Sequence, residues 1–204
     1  MLPQEIEQKS MEIIASEAGE HSFSPDQWAV VSRMIHTSAD FEYMQSVRLH
    51  PRAVESGLEA IRAGRTIVTD TNMVLAGLRK KDLAGFGCRA ICYMDNPEAV
   101  RLAREKGTTR AEAAVDMALD EMQGGIYVVG NAPTALLHLI HLIREGQARP
   151  ALVVGLPVGF VNAAESKAEL EGLDTPYITN TGRKGGSNVA AAVVNSLVIM
   201  AGSK

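Results

Sequence analysis

The sequence predicts an α/β fold of three layers, with a mainly parallel five-stranded sheet flanked by helices and two helices at the N-terminus. Short apolar runs alternate with segments of helical period from Arg65 onward, the pattern of crossover units and a parallel sheet. Turns rich in Gly, Pro and small polar residues punctuate those runs. Only 4% of residues are aromatic, whereas Ala, Val and Gly abound, which suits close-packed helices over β-branched strands. A chain of 204 residues is long enough for a real core, and residues 1–204 are expected to form a single domain.

Pro3 to Ala18 reads as the first helix, with Ile6, Met11, Ile13 and Ile14 on its apolar face and Ser10 inside it. Ser24-Pro25-Asp26-Gln27 is a strong helix start: an N-cap serine, proline at the first position and an acid in the first turn. That helix runs through Trp28, Val31, Met34 and Ile35 to His36. Met44 to Leu49 reads as a short extended piece, and Pro51 to Ala63 as a helix closed by Gly64. The five strands are Arg65–Thr69, Arg89–Tyr93, Gly125–Val129, Pro150–Val154 and Pro176–Thr179. Helices are expected over Met73–Leu78, Glu98–Lys106, Ala111–Met122, Ala135–Arg144, Ala163–Glu171 and Asn188–Met200. Arg79-Lys80-Lys81 reads as a solvated basic face.

Composition narrows the function. The net charge of −4 offers no basic surface for non-specific nucleic-acid binding. No apolar run has the length to cross a bilayer, and the polar, acidic start is unlike a signal peptide, so a cytoplasmic protein is expected. Cys88 and Cys92 flank Arg-Ala-Ile in an apolar segment read as extended, roughly 13 Å apart, too far for a disulfide, and read as structural thiols. His50, His138 and His141 are scattered and read as core or surface residues, so no metal motif appears. There is no Gly-x-Ser-x-Gly elbow, no Rossmann glycine pattern, and no Walker A order, since Lys184 precedes the Gly185-Gly186 pair.

Two features carry chemistry. The strand-to-helix turns at Gly130, Gly155 and Gly182 lie along one sheet edge, and each offers N–H groups at a helix start, together an anion-receptive rim. The polar group Asp70-Thr71-Asn72 ends another strand on that edge. Second, Arg33 and His36 are three apart on one helical face, in the last turn or just past it. A cation beside an imidazole suits acid–base chemistry on an anionic ligand, since the ring titrates near neutrality and a neighbouring guanidinium favours its neutral form. The same pair also fits an ordinary helix C-terminus, where both complement the dipole. By composition and spacing the reading ends at an α/β enzyme for an anionic small molecule, with one histidine.

Four segments go further. Arg33-Met34-Ile35-His36-Thr37, Gly130-Asn131-Ala132-Pro133-Thr134-Ala135-Leu136, Pro157-Val158-Gly159-Phe160-Val161 with Ala164-Glu165-Ser166-Lys167, and Gly182-Arg183-Lys184-Gly185-Gly186-Ser187 occur in that order. Together they resemble the precorrin-8X methylmutase family with its cobalt-precorrin-8 branch, over essentially the whole chain. The resemblance implies an α/β fold and an isomerase of cobalamin biosynthesis. It moves a methyl group from C11 to C12 of a corrin-type tetrapyrrole, with no redox cofactor and no external methyl donor. It implies that His36 is the catalytic proton donor and acceptor, and that Ser10 and Arg33 contact substrate. Thr71, Arg110 and Lys184 are expected as further substrate contacts, and a homodimer as the assembly. Met73, Val158 and Phe160 are expected either as an apolar floor for the macrocycle or as plain core. Two rival readings are a non-catalytic corrinoid-binding protein and an α/β anion- or phosphate-binding hydrolase or transferase.

Overall fold

The computed structural model describes residues 2–203, so Met1 and Lys204 of the expected domain lie outside the described residues. The chain opens with α1 (Pro3–Ala18), α2 (Pro25–Ser38), a single turn α3 (Tyr43–Ser46), strand β1 (Val47–Leu49) and α4 (Ala53–Arg62). It continues through β2 (Ile67–Thr69), α5 (Asn72–Gly77), α6 (Lys80–Gly85), β3 (Ala90–Ile91), α7 (Pro97–Lys106) and α8 (Arg110–Met117). It ends with β4 (Ile126–Val129), α9 (Pro133–Arg144), β5 (Leu152–Gly155), α10 (Ala163–Glu171), β6 (Tyr177–Asn180) and α11 (Ser187–Gly202).

The sheet has the order β1-β6-β5-β4-β2-β3. Five strands are parallel, as expected; the sixth, β1, pairs antiparallel with β6 in the register Val47↔Asn180. That edge strand corrects the expectation for Met44–Leu49. Its first half is helical and only Val47–Leu49 is extended. The β3 edge is also shorter than the sequence suggests, and Cys88 precedes it. Both cysteines are free thiols. Short edges limit the backbone that a neighbouring chain could pair with. The basic run at Arg79–Lys81 starts the short helix α6, anchored by buried Leu83. The helix expected to reach Met122 ends at Met117, although Ala118 and Met122 remain buried.

The central strands are buried on both faces, so they read as apolar runs rather than alternating ones. Ile126, Val128, Leu152, Val154 and Ile178 point to one side and pack with α2, α4, α5 and α11. Tyr127, Val129 and Val153 point to the other and pack with α8, α9 and α10. α11 is apolar nearly all round because α2, α4 and α5 surround it. Gly57 allows α4 to approach closely: a Cβ there would lie 2.8 Å from Leu197 Cδ1. α1 packs outside this layer, on α2.

Strand order fixes where a ligand fits. From β2 the chain steps outward to β3, then returns to β4 on the other side of β2. The switch point therefore lies between β2 and β4, and the crevice beyond their C-terminal ends is where open α/β sheets place ligands. Truncating the buried helix above that sheet tests the packing. Leu197→Ala is expected to lower unfolding stability by about 2–5 kcal/mol in denaturant titration, with an unchanged slope.

Candidate active site

At the switch point the crevice floor is closed by one carboxylate. Asp70, just past β2, is buried and accepts the backbone N–H groups of Gly130 (3.0 Å), Asn131 (2.8 Å) and Ala132 (2.8 Å). Burial pushes its pKa up, against the pull of those three donors. This corrects the expectation of free N–H groups at the Gly130 turn, which already bind an anion of the chain itself. The neighbouring Thr71 hydroxyl caps α5 by accepting from Val74 N–H, and lies 3.3 Å from Ser187 Oγ at the start of α11. Gly130 must lack a side chain here, since a Cβ would sit 2.8 Å from Ser187 Cα.

The start of α11 connects the crevice to His36. Asn188 Nδ2 donates to Thr37 O at 3.4 Å. His36 is exposed in the last turn of α2, which Ser24 and Gln27 cap at its start. The helix ends at Ala39, whose left-handed φ of 53° carries its N–H onto Ile35 O. A non-glycine residue in that region costs on the order of 1 kcal/mol and persists only where surrounding contacts impose it. It turns the chain sharply just beyond the histidine.

Arg33 lies on the same face, half-buried, and its guanidinium pairs with Glu7 of α1. That pair fixes α1 on α2, and Ser10, one turn further along, lies on the same face of α1 as Glu7. The Ser10 hydroxyl donates to Ile6 O at 2.8 Å, leaving its lone pairs as acceptors. Glu7 is held below the ordinary carboxylate range, first by its bond to Arg33 against partial burial, then by the charges of Arg33, Arg79 and His36.

On the other flank, Lys184 bonds Asp40 Oδ2 at 2.5 Å and Glu42 Oε2 at 2.8 Å, so it is a bridged cation rather than a free one. The two last loops are joined beside it. Gly159 N–H donates to Arg183 O, Gly186 N–H donates to Leu156 O, and the Arg183 guanidinium sits 5.3 Å from the centre of the Phe160 ring. Beneath them Lys167 is fully buried, its Nζ 2.6 Å from Lys184 O and 3.2 Å from Asn180 Oδ1. Burial lowers its pKa to about 8.

Met73, Val158, Phe160 and Val161 are all exposed, Phe160 by 84% and Met73 by 73%. For Met73, Val158 and Phe160 plain core packing is therefore excluded. Arg110 is exposed at the start of α8, and its neighbour Thr109 meets Thr134 at the start of α9, Oγ1 to Oγ1 at 3.3 Å. Contacts tie the end of α2, which carries His36 with Arg33 one turn before it, to the start of α11 and through Ser187 to Thr71, and Lys184 is bonded to Asp40 and Glu42 just beyond that helix end. Among the described residues no hydrogen bond joins Ser10 or Arg110 to this set. Among the described residues no three His, Cys, Asp or Glu side chains cluster to hold a metal, and no helix is long and apolar enough to cross a membrane.

Glu7, Asp70 and Lys167 escaped the sequence as partners. Asp70 had a visible signal, a carboxylate directly after a β-branched strand. Glu7 and Lys167 did not, because each acts on a residue distant in sequence.

Fold and site together define an open α/β protein that presents an exposed histidine, cations and an apolar patch around a switch-point crevice. Comparison with known proteins narrows this: residues 5–200 match the family described as precorrin-8X methylmutase, and the chain belongs to that family. Its members are isomerases of cobalamin biosynthesis that move a methyl group within one molecule. The chain is 49% identical to the cobalt-precorrin-8 methylmutase of Priestia megaterium, covering 98% of this chain and 89% of that one. It is 37% identical to the precorrin-8X methylmutase of Pseudomonas aeruginosa, covering 95% and 94%. The crystal structure of the precorrin-8X methylmutase from Thermus thermophilus superposes with a TM-score of 0.91 at 48% identity, over 97% of this chain and 96% of that one.

The buried lysine gives a pH-dependent prediction. A base whose folded pKa lies below its unfolded value of about 10.5 binds fewer protons when folded, so stability rises with pH from about 8 to about 10.5. The gain is at most about 3 kcal/mol, and the two acceptors around the ammonium reduce it. Lys167→Met is expected to abolish this rise in denaturant titrations between pH 7.5 and 10.5. Parallel curves for the two proteins would refute it.

Proposed function

We propose that this protein moves the C11 methyl group of precorrin-8X, or of its cobalt form, to C12, giving hydrogenobyrinate or cobyrinate, with His36 as proton donor and acceptor. The observation that carries this reading is the placement of an exposed His36 next to the switch-point crevice, linked to it through Thr37, Asn188, Ser187 and Thr71. The reaction is an isomerisation. His36 gives a proton to the ring-C region, the methyl group migrates with its bonding electrons to C12, and a proton is returned, so substrate and product have the same composition. One imidazole serves both steps when its pKa lies near the working pH.

The remaining residues supply orientation. Arg33, Lys184 and Arg110 are spread along the rim and suit the acetate and propionate groups around the macrocycle. Ser10 and Thr71 add hydroxyls, and Met73, Val158 and Phe160 offer an apolar floor. The exposure of that floor also supports a homodimer as the working unit, with the second copy covering what one chain leaves open. A cytoplasmic location fits a biosynthetic enzyme of this family, working as a single domain.

The test is an absorption time course with metal-free precorrin-8X and, in parallel, its cobalt form, since methyl migration changes ring conjugation. Wild-type protein is expected to convert at least one of them. His36→Ala is expected to lose at least ~10²-fold in turnover while binding product within a few-fold of wild type. Normal turnover by His36→Ala would remove the histidine from the chemistry. Binding of product by the wild type without any conversion would leave a corrinoid-binding protein.

A further inference from the structure

Resting on the assignment of His36 above, we propose that Glu7 is a positioning residue for the reaction. Its carboxylate compensates the Arg33 guanidinium and so keeps the neighbouring imidazole able to carry a proton near neutral pH. Arg33 and His36 share one face of α2, and Glu7 reaches that face from α1 to bond Arg33. The contact joins residues 26 apart in sequence and is partly shielded from solvent. Without Glu7, the ring would face uncompensated positive charge, which favours its neutral form.

The other groups around the histidine do not replace that carboxylate. Arg79, at the junction of α5 and α6, adds a second cation, itself bonded to Asp82. α11, packed along α2, has no ionisable side chain. In α3 the Tyr43 hydroxyl is pushed up to about 12 by burial and stays neutral. Asp40 and Glu42, beyond the helix end, are bridged by Lys184. Glu7 is thus the carboxylate placed to act on Arg33 and His36 together. It reports that proximity in return, since the His36 charge contributes to holding its carboxyl low.

The experiment is an NMR titration of the imidazole carbon-bound protons in isotope-labelled full-length protein. The His36 signal is assigned by its loss in His36→Gln. At low salt, Glu7→Gln is expected to lower the His36 midpoint by about 0.3–1 pH unit, the effect of one unit charge at roughly 10 Å for effective dielectrics between bulk water and a protein surface. Glu7→Asp is expected to retain most of the wild-type value, and added salt to shrink the difference. Thermal unfolding of each variant guards against a fold effect, which the partial exposure of the pair keeps small. Equal midpoints in wild type and Glu7→Gln would overturn the proposal. A shifted midpoint with a parallel shift in the pH profile of turnover would support it in full. A shifted midpoint with an unmoved pH profile would overturn its part in the reaction and point to failure of the His36 assignment instead.

Discussion

The Asp70 carboxylate, holding three backbone N–H groups of the next loop over, is the interaction on which the rest of the site depends. β2 and β4 are neighbours in the sheet, but their chains leave it toward opposite faces, into α5 and α9. Divergence opens a crevice, and without a bridge the loop leading into α9 would present unsatisfied donors to it. Asp70 satisfies those donors from the adjacent strand end. The charged acceptor makes these bonds stronger than neutral ones, which offsets the cost of burying the carboxylate. With that floor fixed, Gly130 can lie against Ser187, Ser187 against Thr71, and Asn188 against the end of α2. The position of His36 relative to the crevice is inherited from this sequence of contacts rather than from α2 alone.

A second knot sits one strand pair away. Lys167 and Asn180 together hold the backbone at Lys184, while backbone bonds join the 157–160 segment to the 183–186 segment. A buried ammonium is a poor source of stability, because desolvation offsets most of what its partners return. Its use here is geometric: two loops that leave different strands are kept in one arrangement. The exposed Phe160 ring and Arg183 are held together as a consequence. The site is thus built on two internal charges, one negative and one positive, neither of which faces the crevice as a free group.

Much of the architecture was legible because its causes are local. Apolar runs bounded by turn residues mark the five parallel strands, and Ser24-Pro25 marks a helix start by capping chemistry that the structure reproduces. The Met44–Leu49 segment was the weak point. Its state is decided by pairing with Tyr177–Asn180, more than a hundred residues away, and by a helical turn that local propensity does not demand. The end of α2 just beyond His36, at Ser38, was likewise legible, because small polar residues follow the histidine. What sequence could not give was occupancy. Arg33, Lys184 and the Gly130 turn each read as free partners for an anion, since periodicity places a residue on a face but does not say what already stands opposite it.

Occupancy changes the physical picture of how such a rim receives a polycarboxylate. Arg33 is matched by Glu7, Lys184 by Asp40 and Glu42, and the Gly130 amides by Asp70. A rim of bare cations would bind any polyanion strongly and without discrimination. In the paired rim, a ligand carboxylate must either share a cation with the resident acid or displace it, and only a ligand that makes several such exchanges at once recovers the energy. The pairs at Arg33 and Lys184 are partly or fully exposed, so each exchange is close to balanced. On the proposed reading, such a surface selects by the spacing of carboxylates around a large rigid ring rather than by charge. By the same proposed reading, a protein of net charge −4 receives an anionic macrocycle because its positive charge is local and held in place by resident acids.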